Sequence, residues 1–490
     1  MMNLAIKSFT GKKETQNKYK KNVCRLLFLL LMLTNISSFS INPIITAKVD
    51  ERTELLSIVF KLAGNNEYNK GILLDYNKQI DNHFANFKDH EAIKYARKIH
   101  RKHYISYDAV MSLAIHLKIE NSQLSIIDTI AENSIEKRWK PDVINTFVEK
   151  LNDFYTKSDF NKFFNSNRNL YNVAENRFEG VLQKLNIGWY DSFYGQSPKD
   201  GYNIILSLTN GPSNYGPKTI SKSGQENTYA IIGSWQADSL NLPIYSSRNI
   251  LPTIIHEFCH SFCNHLIDDH ISEFEKSGKI IFPYVREKLK KQAYSSYQTM
   301  LYESLVRASV VKYVEQNDTN KTKVLVYIAR EQGNGFLWTD KLFNKLTLYE
   351  NNRDKYPTLE KFIPEIVSLF DSLAVDFNSY KNNFYSQCPK IESTSIKNND
   401  VIDFNTKEIT IVFDKPMRDA GYGFSYGKGG KNNFPPIDNV KWVNNKTLRL
   451  NVKLDKGRFY SLKLFTPAYI GENNSPVFDD FELRFKTSKN

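Results

Sequence analysis

The chain has 490 residues, of which 41% are hydrophobic and 24% are charged, an ordinary composition for a globular protein with room for two or three domains. Its formal net charge is +13, but seven Lys or Arg residues lie within the first 25 residues and the remainder form no dense basic run. This distribution disfavours a nucleic-acid-binding role, so we expect no nucleic-acid partner.

The first segment has the pattern of an export signal. Its basic stretch is followed by the apolar run LLFLLLMLTNI at 26–36, which is too short to span a bilayer, and then by small and polar residues. We expect residues 1–47 to form the signal-peptide region, with cleavage after Ser40 or Ala47. An uncleaved signal anchor is the alternative. The mature protein is expected to be secreted, periplasmic or on the cell surface, with no stable transmembrane span.

Between residues 48 and 186 the spacing of apolar residues is helical, as in ERTELLSIVFKLAG, SYDAVMSLAIHLKI and TFVEKLNDFYTKSDFNKFF. From 187 to 387 two short strand-like runs, GYNIILSLTNG and TYAIIGSW, precede a helix that we expect to open near Asn249 with Pro252 in its first turn. Further helices follow to residue 387. Together these two parts are predicted to form one domain, residues 48–387.

Residues 388–490 have a different sequence pattern, in which short runs of alternating apolar and polar residues are separated by turn residues. They predict a small β-sandwich that forms a separate accessory domain, and the alternative is that its strands complete the preceding domain. The tail resembles bacterial immunoglobulin-like modules with an IxFxxPM strand, here Ile411, Phe413, Pro416 and Met417. The predicted fold class is therefore α+β with an all-β C-terminal part.

The run TIIHEFCHSFCNHLI at 253–267 carries the clearest chemical pattern. On a helix, His256 and His260 leave adjacent turns on one face and can converge on a metal ion, with Glu257 beside them as a base for a water molecule. H-E-x-x-H is the zinc metallopeptidase signature for this reason. Two solvated or core histidines are the alternative. A separate apolar stripe is expected to face the core: Ile255, Phe258, Phe262 and Leu266.

A catalytic zinc needs a third protein ligand and an open position. Leu266 stands where a metzincin would supply histidine, and His265 points to the opposite side of the helix. The best candidate is Glu303 in MLYESLVRASVVKY, because a carboxylate in so apolar a helix needs a partner and Arg307 can orient it. An exposed Glu303–Arg307 pair is the alternative. Weaker candidates for the third ligand are Asp269, His270, Glu273, Glu275 and Glu287.

Three cysteines remain beyond the predicted signal, too few for a disulfide scaffold. Cys259 and Cys263 lie one turn apart on the predicted helix, where packing is expected. Cys263 lies one turn beyond His260, so a contact with the metal is its alternative role, whereas Cys388 carries no prediction.

These motifs resemble those of gluzincin-type zinc metallopeptidases, in which a small sheet lies over the active-site helix and a helical subdomain follows. More specifically, the chain resembles a group of secreted bacterial proteins of unassigned function. The resemblance spans about residues 50–375, through RTELLSIVFKLAG, HEFCHSFCN, YESLVRA and YPTLEKFIPEIV. It implies zinc held by His256, His260 and Glu303, with Glu257 as the base.

The resemblance also implies that NTYAIIGSW at 227–235 is a sheet edge above the metal, where a peptide substrate adds as a strand along Tyr229, Ala230 and Gly233. The chain departs from characterised gluzincins: it lacks the GxMEN run of aminopeptidases and the acidic partner that follows the glutamate ligand in thermolysin-like enzymes. No oxyanion donor can be assigned, although tyrosines lie nearby in the sequence: Tyr229, Tyr302 and Tyr313.

The sequence therefore predicts a secreted zinc metallopeptidase that acts on peptides or proteins. The alternative is a non-catalytic zincin-like scaffold whose C-terminal module binds a glycan or protein at the cell envelope. Both histidines and the glutamate of the motif are present, which favours the enzyme. A structural zinc site would need a fourth protein ligand, for which Cys263 is the nearest candidate.

Overall fold

The computed structural model describes residues 45–131, 134–196, 201–419 and 421–489, and the predicted signal lies almost wholly outside them. The described chain is of mixed α+β type, with about half of its residues in helices and several small sheets. The helices are α1 (Glu51–Leu62), α2 (Leu74–His83), α3 (Glu91–His103), α4 (Asp108–His116), α5 (Pro141–Lys157), α6 (Phe160–Ser166), α7 (Arg168–Leu182), α8 (Gly188–Tyr194), α9 (Ser247–Asp269), α10 (Ile271–Lys290), α11 (Tyr297–Asn317), α12 (Lys321–Gly333), α13 (Thr339–Glu350), α14 (Leu359–Val375) and α15 (Phe377–Gln387).

The strands form three four-stranded sheets and one hairpin in the described residues. The strands before the C-terminal region are β1 (Ala47–Val49), β2 (Leu117–Glu120), β3 (Gln123–Ile126), β4 (Tyr202–Leu206), β5 (Lys218–Ile220) and β6 (Glu226–Ile232). The strands of the C-terminal region are β7 (Ile391–Thr394), β8 (Asp400–Ile402), β9 (Glu408–Phe413), β10 (Phe424–Tyr426), β11 (Ile437–Asn444), β12 (Thr447–Val452), β13 (Phe459–Leu464) and β14 (Glu482–Thr487).

The first sheet has the order β1-β4-β6-β5, with β1, β4 and β6 parallel and β5 antiparallel to β6. The two runs that the sequence predicts as strands are β4 and β6. Their inward side chains are apolar, and β6 packs against α9, the helix that carries the H-E-x-x-H motif. A small sheet therefore backs the motif helix.

A buried carboxylate joins the first helix to this sheet. Glu54 of α1 accepts hydrogen bonds from the backbone N–H of Leu208 (2.6 Å) and from the hydroxyls of Thr209 (2.6 Å) and Tyr76 (2.9 Å). Burial raises the pKa of Glu54, and the hydrogen bonds from Thr209 and Tyr76 oppose that rise. These donors hold α1 against the end of β4.

The helical predictions for residues 48–186 are largely confirmed, with one omission. The helix predicted through SYDAVMSLAIHLKI ends at His116, and Leu117 begins the hairpin β2–β3, which the sequence analysis did not anticipate. The alternation of apolar and polar residues after His116 suits a short hairpin, and Asn121 and Ser122 take the positive φ values of its turn.

The C-terminal strands form two four-stranded sheets, β10-β13-β14-β8 and β11-β12-β9-β7. Residues from both sheets share one core that is distinct from the core of the helical region, for example Ile411, Leu450, Leu462 and Phe485. Residues Ile45–Asn490 nevertheless form one compact unit. Phe478 connects the C-terminal region to the helical region. Its ring contacts Tyr385 of α15, with ring centroids 4.7 Å apart, and lies under the ammonium of Lys288 in α10.

Within the part of the chain that the structure describes, no helix has both the length and the apolar character needed to cross a membrane.

Candidate metal centre

The motif helix α9 is held by its apolar stripe, as the sequence predicts. Phe258 and Phe262 are buried, and Phe262 stacks on Tyr194 of α8 with ring centroids 4.3 Å apart. The helix begins at Ser247, two residues earlier than expected, so Pro252 lies beyond the first turn rather than in it. Because proline has no N–H, the helix tolerates it there only by leaving the carbonyl one turn earlier without its usual helical donor.

Helix α11 brings the third candidate ligand to this helix. It packs against α9 and is buried along most of its length, and Glu303 is only 4% exposed. An ionised carboxylate at that depth requires compensating charge, and here it faces His256 and His260. The packing of two apolar helices thus juxtaposes Glu303 with histidines that lie 43 and 47 positions earlier in the sequence.

His256, His260 and Glu303 form a group that could hold a metal ion, with their ligand atoms all within 4.8 Å of one another. The two Nε2 atoms are 3.1 Å apart, and the carboxylate oxygens of Glu303 lie 3.6 Å from Nε2 of His256 and 3.4 Å from Nε2 of His260. Bonds of 2.0–2.1 Å in a tetrahedral zinc site place neighbouring ligand atoms about 3.3 Å apart. The distance between the two Nε2 atoms and the distance from each Nε2 to Glu303 are close to this value, and the two histidines approach different oxygens of the carboxylate, Oε2 for His256 and Oε1 for His260.

The orientation of His260 also fits a metal ligand. Its Nδ1 lies 3.1 Å from the side-chain oxygen of Asn264, one turn further along α9. An Nδ1–H that donates to this oxygen directs Nε2 toward Glu303, where it can bind a metal ion once it has lost its proton. A hydrogen bond of this kind fixes the tautomer and ring orientation of ligating histidines.

Arg307 binds the carboxylate of Glu303 and connects it to helix α12. Its Nε donates to Glu303 Oε2 (3.0 Å), its Nη1 pairs closely with Glu331 of α12, and its Nη2 donates to the hydroxyl of Tyr294 (3.0 Å). The guanidinium also stacks over the ring of Phe336, 4.6 Å from its centroid. The predicted Glu303–Arg307 pair is thus present and largely buried, which differs from the exposed pair considered as its alternative.

Burial and neighbouring charges shift the pKa values of all three candidate ligands. Burial would raise the pKa of Glu303, but His256, Arg307 and His260 outweigh it and hold that pKa well below its usual range. Burial lowers the pKa of His256 to about 3, and the cations Arg307 and Arg330 add to this effect. Burial also opposes protonation of His260, yet its hydrogen bond and attraction to Glu303 raise its pKa to about 9. Two of the three candidate ligands, His256 and Glu303, are therefore in the protonation state that binds metal.

Glu257 lies next to this group on α9, against the loop before β5. Burial raises its pKa to about 7. Gly216 of that loop is so close that a Cβ there would lie 2.6 Å from the backbone oxygen of Glu257 and 3.0 Å from its Oε2. A carboxyl group with a pKa near neutrality is suited to accept and release a proton.

The other candidates proposed from the sequence lie elsewhere. Among the described residues, the metal-ligand group has no further member, so the weaker candidates from Asp269 to Glu287 do not join it. His270 pairs with Glu273 (2.7 Å), and His265 bonds to the carbonyl of Ser261 (3.1 Å). The sulfur of Cys263 contacts Tyr194 and Ser309 instead of the histidines, and burial raises its pKa to about 12.

The tyrosines considered as oxyanion donors are also engaged away from the site. The hydroxyl of Tyr302 donates to Asp268, and that of Tyr313 accepts from the backbone N–H of Asn186 (2.7 Å). Tyr229 lies on β6, where Arg52 is close enough to affect its pKa. None of these three tyrosines is therefore assigned as an oxyanion donor beside His256, His260 and Glu303.

The expectation that NTYAIIGSW is a sheet edge is wrong. Strand β6 pairs with β4 on one side and β5 on the other, and Tyr215 forms a further bridge with Ile231. The N–H of Tyr229 donates to Pro217 (3.0 Å), Ala230 is fully buried, and the N–H of Gly233 donates to Asn214 (3.1 Å). The consecutive buried apolar residues Ala230, Ile231 and Ile232 suit an inner strand of a largely parallel sheet, because such strands are covered on both faces.

A cleft of about 410 Å³ opens beside the metal group and includes His256 in its lining. Its other lining residues include Trp235, Arg248, Tyr327, Arg330 and Glu331, none of which the sequence analysis selected. These residues come from separate elements and share no local motif. Asn264 was also missed, although its position one turn after His260 on the same helix could have indicated it.

The chain matches one family model. No curated protein matches the chain. A family model described as "Domain of unknown function (DUF4932)" matches residues 45–369, a range that starts just before β1 and includes α9 and α11. Because this match covers well over half of the sequence, the chain belongs to the DUF4932 family.

Proposed function

We propose that this protein is a zinc-dependent metallopeptidase of the gluzincin type, with zinc held by His256, His260 and Glu303 and with Glu257 as the general base. The observation that carries the proposal is the convergence of the three side chains, whose ligand atoms all lie within 4.8 Å of one another, with the two Nε2 atoms 3.1 Å apart. Three protein ligands leave a position open, as catalytic zinc sites require, and a cleft adjoins His256.

Zinc bound there would polarise the scissile carbonyl and lower the pKa of a water molecule. Glu257 accepts a proton from the water molecule as the water oxygen bonds to the carbonyl carbon. Glu257 then delivers that proton to the amine nitrogen as the carbon–nitrogen bond breaks. Arg307 keeps Glu303 ionised and oriented, and Asn264 holds the ring of His260.

The finer description of the fold belongs to the same proposal. The sheet that backs α9 supports a zincin-like domain, and the two sheets with a shared core after residue 388 support an immunoglobulin-like module. We propose that residues 1–47 contain an export signal and that the enzyme acts outside the bacterial cytoplasm. The C-terminal module would then contribute to association with the cell envelope.

The test combines metal analysis with peptide hydrolysis. The purified protein is compared with its Glu303→Ala, Glu257→Gln and Glu275→Gln variants, the last being a matched change at an exposed position of α10. We expect about one zinc per chain in the parent, much less in Glu303→Ala, and normal zinc but no hydrolysis in Glu257→Gln. Glu275→Gln should match the parent in both measurements.

Each outcome has a distinct meaning. Hydrolysis that survives Glu257→Gln rejects Glu257 as the base, and full zinc retention by Glu303→Ala rejects Glu303 as a ligand. A parent that holds no zinc after reconstitution rejects the hydrolase and leaves the non-catalytic envelope-binding protein as the better description.

A further inference from the structure

The cleft beside the metal group has a mixed aromatic and cationic lining. Its volume of about 410 Å³ is typical of sites that hold small ligands or short peptide segments. Trp235, Pro252, Val310 and Tyr327 supply its apolar surface. Its charged lining residues are Arg248, Arg307, Arg330 and Glu331.

Two of these cations lack a close acidic partner. Arg307 is neutralised by Glu303 and Glu331, with which it forms close ion pairs. Arg330 approaches Glu331 only to 3.9 Å, and 51% of its side chain is exposed. Arg248 is exposed and forms no ion pair with any residue that the structure describes. Arg248 and Arg330 can therefore bind an anion that enters the cleft.

The position of Arg248 at the start of a helix adds to the positive charge in the cleft. It lies in the first turn of α9, and that turn contains no acidic residue. The N-terminal end of a helix carries a partial positive charge, which acidic residues commonly offset. Here the helix end and Arg248 have the same sign, and Asn249, Pro252 and Thr253 continue the cleft lining from there toward His256.

We infer that the substrate carries a carboxylate in the segment that fills this cleft, and that Arg248 and Arg330 bind it. This inference rests on the proposed function, since it assigns a substrate class to the same site. A guanidinium is the side chain best suited to a carboxylate, because its parallel N–H donors match both oxygens. The carboxylate belongs either to an acidic side chain or to the C-terminus of the substrate.

The two sources are separated by binding measurements on four labelled peptides. One peptide has Glu on both sides of its central bond and another has Gln at both positions, and each is made with a free C-terminal carboxylate and with a C-terminal amide. Fluorescence anisotropy with the Glu257→Gln variant, with and without added zinc, measures affinity without cleavage. Preference for both Glu peptides indicates an acidic side chain, and preference for both free-carboxylate peptides indicates the C-terminus.

The arginines are tested in the same Glu257→Gln background. The double change Arg248→Gln and Arg330→Gln should weaken binding of the preferred peptide about fivefold to tenfold, with little effect on the amidated Gln peptide. Arg286→Gln, an exposed arginine of α10 outside the cleft, should leave affinity unchanged. Preference for the acidic peptide should also decrease at high salt.

Equal binding of the amidated Gln peptide and the acidic peptides would overturn the inference, as would unchanged affinity in the double variant. These failures differ from failure of the proposed function. A parent that cleaves neutral peptides best remains a zinc peptidase without this specificity. A parent that binds acidic peptides through the arginines but cleaves none retains the binding site and loses the hydrolase assignment.

Discussion

Gly216 lies directly against Glu257, with no room for a side chain between the loop and the helix. A Cβ at Gly216 would be 2.6 Å from the backbone oxygen of Glu257, and helix α9 cannot move that oxygen without disturbing its packing. The loop before β5 therefore sets the surroundings of the proposed base.

We predict that Gly216→Ala displaces this loop and reduces peptide hydrolysis about tenfold or more, while zinc content stays at the parental level. The physical reason is that the loop, rather than the buried helix, must move to relieve the contact. Steady-state kcat/KM and metal analysis measure the two effects. Gly180→Ala in α7 is the control, because a Cβ there meets no atom within 4 Å. Parental kcat/KM in Gly216→Ala would contradict the prediction.

Arg307→Gln should destabilise the protein by about 3 kcal/mol, since removing one partner from a buried ion pair leaves uncompensated charge. In this case Glu303 and Glu331 both lose their cation. The free energy of unfolding in urea measures the loss. Arg307→Lys should recover only part of it, because an ammonium cannot reach Glu303, Glu331 and Tyr294 together. Arg286→Gln is the exposed control, and equal stability of Arg286→Gln and Arg307→Gln would contradict the prediction.

His116 should make stability depend on pH. It is fully buried, with Nδ1 2.6 Å from the carbonyl oxygen of Ser112 and Nε2 2.6 Å from the hydroxyl of Ser134. Burial lowers its pKa to about 4, whereas the unfolded chain should titrate near 6.5. Between these values the unfolded state binds more protons, so the contribution is complete above about pH 6.5 and is lost as the pH falls toward 4.

The expected loss is about 2–3 kcal/mol between pH 7 and pH 4. Urea unfolding of the parent and of His116→Gln across this range measures it. The variant should be less stable at pH 7, and the difference from the parent should narrow as the pH falls. His103→Gln, at the less buried end of α3, is the control for loss of a histidine. A difference that stays constant with pH would show that His116 does not contribute in this way.

The position of β1 predicts where an export signal would be cut. Ala47 is 5% exposed and pairs with Ile204, so cleavage after Ala47 would remove the first residue of a three-residue strand. Cleavage after Ser40 leaves that strand intact. We expect the N-terminus of the exported protein to precede Ile45, as measured by N-terminal sequencing or intact mass. A mature chain that starts at Lys48 would contradict this expectation.

The sequence alone predicted those features that depend on the spacing of residues within a single helix. The pairing of His256 with His260 follows from their separation of four residues on a helix, and the buried stripe of α9 follows from the same periodicity. Glu303 could also be nominated locally, because a carboxylate with apolar neighbours and Arg307 one turn away requires a charged environment.

Tertiary structure decided the features that depend on contacts between distant segments. Both partners of β6, β4 and β5, come from earlier segments of the chain, so the apolar residues of β6 did not distinguish an inner strand from an edge. Arg248 and Arg330 lie on α9 and α12, and neither belongs to a motif. Local periodicity reflects which face of an element is buried, whereas a cleft is formed by several elements packing together, and that packing determined which charges surround the metal group.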